Sequence, residues 1–92
     1  MIFQYDNYRS YLKAELADRA SKNEAYSLRA FAKRLGFSIS FLSEVIQGKK
    51  TLSGDAASKM AMQLELNETE SRYFTLLAQL ENNQNSPTRV IV

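Results

Sequence analysis

One stretch constrains this chain more than any other: Ser27-Leu-Arg-Ala-Phe-Ala-Lys-Arg-Leu-Gly36-Phe-Ser-Ile-Ser-Phe-Leu-Ser-Glu-Val-Ile-Gln-Gly48. Ser27 offers a side-chain oxygen to the free amides of a helix start, and Gly36 supplies the left-handed residue that ends one. Ser38 and Gly48 repeat the same punctuation around a second short helix. Leu28, Phe31, Leu35, Phe37, Leu42 and Val45 recur at spacings that let both helices face one shared core. Ala32 and Gly36 are small where the helices must approach closely, and a larger side chain at Ala32 would push them apart. The layout is that of a helix-turn-helix.

The flanking segments also read as helices. The first runs from about residue 6 to 22, with Tyr5, Tyr8, Leu12, Leu16 and Ala20 as its buried stripe. Arg9 and Lys13, and Glu15 and Arg19, lie on its wetter side. Residues 23–26 connect to the next helix, and residues 49–52 form a loop. Ser53 then caps a fourth helix, with Asp55 in its first turn, where a carboxylate suits the helix dipole. Its stripe is Ala56, Met60 and Leu64, with Ala57 and Ala61 close beside. Asn67 opens a fifth helix, and Glu70 three residues later completes a capping box. Tyr73, Phe74, Leu77 and Leu80 carry that helix to about Asn82.

The aromatic series Phe3, Tyr5, Tyr8 and Tyr11 reads as core rather than as a base-stacking platform. From Asn83 onward the chain turns polar, with Pro87 blocking helix continuation. Residues 83–92 are expected to form a tail or the start of a linker. Their apolar end, Arg89-Val-Ile-Val92, reads as a frayed terminus or as the first strand of something that follows. The expectation is an all-α, five-helix domain over residues 1–82.

The chain has neither cysteine nor histidine. That excludes disulfides, thiolate chemistry, Cys/His zinc sites and every triad with an imidazole base. Glu65, Glu68 and Glu70 are spaced for capping and solvation rather than as an acid/base pair. No catalytic residue, metal ligand or cofactor is expected, and the chain reads as something other than an enzyme. No apolar run approaches the roughly 20 residues that span a bilayer, and no basic start precedes an apolar run. The chain reads as cytoplasmic.

Charge is unevenly distributed. Four basic and four acidic groups cancel over residues 1–26. Residues 27–50 hold Arg29, Lys33, Arg34, Lys49 and Lys50 against Glu44 alone, a net +4. Residues 51–92 hold three basic and five acidic groups, a net −2. The positive potential falls on the helix-turn-helix, as a footprint for a polyanion should.

Around the third helix, Phe41, Leu42, Val45 and Ile46 form the stripe that turns inward. Ile39, Ser40, Ser43, Glu44 and Gln47 remain outside, where base edges would be read in the major groove. Ser40 and Gln47 donate or accept. Ile39 either packs on a thymine methyl or serves as a packing residue. Glu44 either accepts from a cytosine amino group or pairs with a neighbouring lysine. Lys49 and Lys50 would reach the phosphate backbone, as would Arg29 and the free amides near Ser27 and Ser38. The partner this implies is double-stranded DNA. The alternative is a protein-interaction module on the same scaffold, with Ile39 and Phe41 in an exposed apolar patch. Phe74, Leu77 and Leu80 of the fifth helix are the side chains offered to a second copy in a homodimer.

Residues 28–48, the basic loop after them and the capped fourth and fifth helices resemble the lambda-repressor-like (Xre-type) helix-turn-helix domains of bacterial regulators. The resemblance spans roughly residues 5–82. A narrower likeness lies in Phe3-Gln-Tyr-Asp-Asn-Tyr-Arg-Ser-Tyr-Leu12 and Gly48-Lys-Lys-Thr-Leu-Ser53. These are similar to the N-terminal domain of a poorly characterised regulator family numerous in predatory bacteria, whose members usually carry a further C-terminal domain. The resemblance implies a five-helix fold, DNA binding through the third helix and a dimer on a palindromic site. Carried over, Ile39, Ser40, Ser43 and Glu44 would enter the groove, with phosphate contacts near Ser27, Ser38, Lys49 and Lys50.

Overall fold

The computed structural model describes residues 1–84. Over those residues the chain holds a short 3-10 turn at Ile2–Gln4 and five α-helices: α1 (Tyr8–Lys22), α2 (Leu28–Leu35), α3 (Ile39–Gln47), α4 (Gly54–Gln63) and α5 (Glu68–Gln84). No strand occurs among the described residues. α5 extends through Gln84, slightly beyond its expected end, and the expected tail at 85–92 lies outside the described residues.

Local chemistry explains the helix boundaries. Asn7 accepts from the Arg9 amide at 2.7 Å, so α1 starts just after Asn7. Ser27, Ser38 and Ser53 accept from the amides of Ala30, Phe41 and Ala56 at 3.3, 3.1 and 3.1 Å. Asn67 and Glu70 exchange reciprocal bonds of 2.9 and 2.8 Å, closing the capping box. Gly36 and Gly48 end α2 and α3 at φ +82° and +87°, a region that disfavours residues with a Cβ. α4 ends without a glycine: Glu65 takes φ 60°, and its carboxylate accepts from Arg34 of α2 at 2.8 Å.

α4 and α5 pack against each other, α1 lies on α3 and α5, and α2 contacts both α3 and α4. Their inward stripes meet in one core that includes Leu12, Phe31, Leu35, Leu42, Val45, Met60 and Phe74. The rings of Tyr8 and Tyr11 stand edge-on to Phe74 at 6.1 and 6.2 Å. Phe3 is the exception in the aromatic series, lying at the rim edge-on to Tyr73 at 5.2 Å. Ile2 of the 3-10 turn is buried. A single apolar residue has no periodicity to announce it.

No helix among the described residues is long and apolar enough to cross a membrane.

Candidate functional site

α3 buries Leu42 and Val45 completely and leaves Phe41 and Ile46 half-buried beside them. The opposite side carries Ser40 and Gln47 exposed, with Ile39, Ser43 and Glu44 half-buried at its margins. Ile39 packs on the edge of the core. The Gln47 amide donates to the Ser43 hydroxyl at 2.8 Å, so these two present a joined polar surface. The Glu44 carboxylate lies 3.6 Å from the Lys50 ammonium, which is the neighbouring-lysine alternative for this residue.

Ser27, Arg29 and Ser38 are exposed. The Ser27 and Ser38 hydroxyls satisfy one amide each, and the first-turn amides have no partner within the helix itself. Arg29, Lys33, Arg34, Lys49 and Lys50 are all exposed as well. The first turns of α2 and α3 are each accessible, a feature suited to an anion; of the cations, Arg34 is paired with Glu65 at 2.8 Å and Lys50 lies 3.6 Å from Glu44.

The loop between α3 and α4 is tied down despite its exposure. The amides of Lys49 and Lys50 donate to the Glu44 carbonyl at 2.8 and 3.2 Å. Leu52 is fully buried, and its carbonyl accepts from the Asn82 amide at 2.8 Å. Arg9 contributes most. Its Nη1 donates to the Val45 carbonyl and, at 2.9 Å, to the Lys50 carbonyl. Its Nε and Nη2 donate to the two Glu81 oxygens at 3.1 and 2.8 Å.

Arg9 is thus not on the wetter side of α1, where its spacing had placed it; its side chain is only 12% exposed. The Val45 carbonyl already accepts from the Gly48 amide at 3.1 Å and takes the guanidinium as a second donor, whose positive charge suits the C-terminus of α3. Arg19 is likewise drawn inward. It keeps Glu15 at 3.1 Å, but its guanidinium also lies over Phe31 at 5.6 Å and Tyr26 at 6.0 Å.

Phe37 and Phe41, expected in the core, are half-buried and stack on each other at 5.3 Å with 22° between their planes. Lys50 lies 5.9 Å from the Phe41 ring centre and Lys59 5.5 Å from that of Phe37. Sequence reasoning missed Lys59. It belongs to α4, yet its side chain reaches the turn between α2 and α3, with Cε 3.7 Å from the site of a Cβ at Gly36. No local spacing reports such a reach.

Of the side chains offered to a second copy, Phe74 and Leu77 are buried in their own core. Leu80 is 48% exposed, and Leu76, one turn before it, is 49% exposed. The three acidic residues at the junction of α4 and α5 are separately engaged: Glu65 with Arg34, Glu68 with Arg72 at 2.9 Å, and Glu70 in the capping box. Burial, then the nearby Glu15 and Glu70 carboxylates, push the Tyr11 hydroxyl up to about 12. The chain matches no protein-family model, no curated protein and no solved structure.

Proposed function

We propose that this chain is a lambda-repressor-like helix-turn-helix domain that binds double-stranded DNA sequence-dependently and regulates transcription, acting in the cytoplasm. α3 enters the major groove in this assignment. The observation that carries it is on α3 itself: Ser40 and Gln47 are exposed on its outer side, Gln47 is joined to Ser43, and exposed Lys49 and Lys50 follow directly after the helix ends. Ser40, Ser43 and Gln47 meet base edges, while Ile39 and Glu44 shape the margins. Ser27, Arg29, Ser38, Lys49 and Lys50 meet phosphates, and Lys59 joins them beside the turn.

A protein-interaction role through Ile39 would call for an apolar patch on α3. Among the described residues the large exposed apolar side chains are Met1, Phe3, Met62, Leu76 and Leu80, none of them on α3. Leu76 and Leu80 suit a second copy instead, and a two-fold dimer would set two α3 helices roughly 34 Å apart, one turn of DNA.

The test is fluorescence anisotropy with mixed genomic duplexes across a salt series, alongside Lys49→Ala/Lys50→Ala. Binding should weaken steeply with salt, and the double variant should bind less tightly with a slope shallower by about two. Absence of duplex binding at low salt, or a double variant indistinguishable from the parent, would overturn the assignment.

A further inference from the structure

The most elaborate polar arrangement in the described molecule lies behind the α3 face. Arg9 of α1 and Glu81 of α5 form a two-pronged pair, with side chains 12% and 21% exposed. Nη1 of Arg9 is shared between the carbonyls of Val45 and Lys50. Those carbonyls stand on either side of the tight turn at Gly48 and Lys49. One nitrogen thereby ties the last turn of α3 to the far side of the loop. Glu81 holds both remaining edges of the guanidinium, so the fork cannot swing. The next residue, Asn82, holds the Leu52 carbonyl at the loop's end.

Apart from the Glu81 carboxylate, the partners of Arg9 are main-chain oxygens, one in the last turn of α3 and one in the lysine loop. Leu52 separately plugs the end of the loop into the interior. The Arg9 tie fixes the path of Lys49 and Lys50.

We propose that Arg9 and Glu81 are positioning residues for Lys49 and Lys50, holding the loop in the shape that meets a phosphate backbone. The proposal rests on the DNA-binding role for its purpose, though not for its geometry. A lysine at position 9 would keep the charge but lose the planar fork that reaches three partners at once. A glutamine at position 81 would keep the shape but lose the charge that clamps the fork.

Two readouts on the whole chain test it. The first is amide hydrogen exchange by NMR in Glu81→Gln and Arg9→Lys, the second variant covering the case in which the first fails to fold. Exchange at the Lys49 and Lys50 amides should rise about tenfold while the amides of α2 stay within about twofold. The second is a binding cycle with duplex DNA. Glu81→Gln should weaken binding about tenfold in the parent and less than about twofold when Lys49 and Lys50 are already alanine.

Equal weakening in both backgrounds, or exchange rising evenly across all helices, would make the pair a general stabiliser and overturn the proposal. Unchanged exchange at Lys49 and Lys50 would overturn it too. Should the parent bind no duplex, the DNA-binding role falls, and the exchange result still decides whether the pair positions the loop.

Discussion

α3 and α5 bury similar stripes and turn very different faces outward. α3 hides Leu42 and Val45 and shows Ser40 and Gln47, followed at once by Lys49 and Lys50. α5 hides Phe74, Leu77 and Ala78 and shows Leu76 and Leu80. A domain this small needs most of its apolar side chains for its single core. The polar, cationic surface around α3 adds nothing to that core, and what it offers is hydrogen bonds and charge. The surface of α5 offers apolar area instead, which another protein surface would cover. The proposed function draws on this contrast, with nucleic acid proposed for one helix and a second copy for the other.

The largest effect should come from breaking the inner side of α3. Leu42→Ala should cost about 2–5 kcal/mol in urea denaturation, while Ser40→Ala should stay within about 0.5 kcal/mol. Similar costs for both would erase the distinction between the two sides of the helix.

A second probe uses Tyr11, which packs edge-on to Phe74 of α5. Its hydroxyl holds a proton to about 12 in the folded chain against 10.0 when unperturbed. The unfolded state therefore binds fewer protons between those values, and stability falls as pH rises through that window. Tyr11→Phe should make the decline shallower by at most about 1.4 kcal/mol per pH unit. An unchanged slope would show that the α5 side does not hold this hydroxyl as described.

Gly36→Ala comes next, at about 1–2 kcal/mol. The space there is open enough, but φ +82° strains any residue with a Cβ. The smallest effect on stability belongs to Leu76→Ser/Leu80→Ser, within about 0.5 kcal/mol at these exposed positions. The same variant should shift sedimentation from dimer to monomer. A parent that sediments as a monomer at high concentration, with or without DNA, would remove the second copy from α5.

Local chemistry made much of this fold legible from residue order alone. Ser27, Gly36, Ser38, Gly48, Ser53 and the Asn67–Glu70 box act within a few residues of themselves, and each does in space what its position implies. Arg9, Lys59 and Glu65 were not legible. Arg9 finds partners 36, 41 and 72 positions away. Helical spacing reports only which side of α1 it leaves from, and α3's carbonyls decide where it goes. Lys59 is governed by the aromatic rings beside the α2–α3 turn. Glu65 ends α4 in a left-handed conformation that residue type would have assigned to a glycine. Ile2 joined the core without any pattern around it. On the outer side of α3, Ser40 and Gln47 are exposed as a helix wheel places them, whereas Ile39 packs on the edge of the core.

Mapping backbone amide shifts by NMR as short duplex DNA is added tests the proposed role of α3 most directly. Perturbations should concentrate at residues 27–29, 38–40, 43 and 47–50, with Lys59 affected and the Leu76 and Leu80 amides unmoved by the DNA itself. Perturbations confined to α5, or absent at saturating duplex and low salt, would contradict that role.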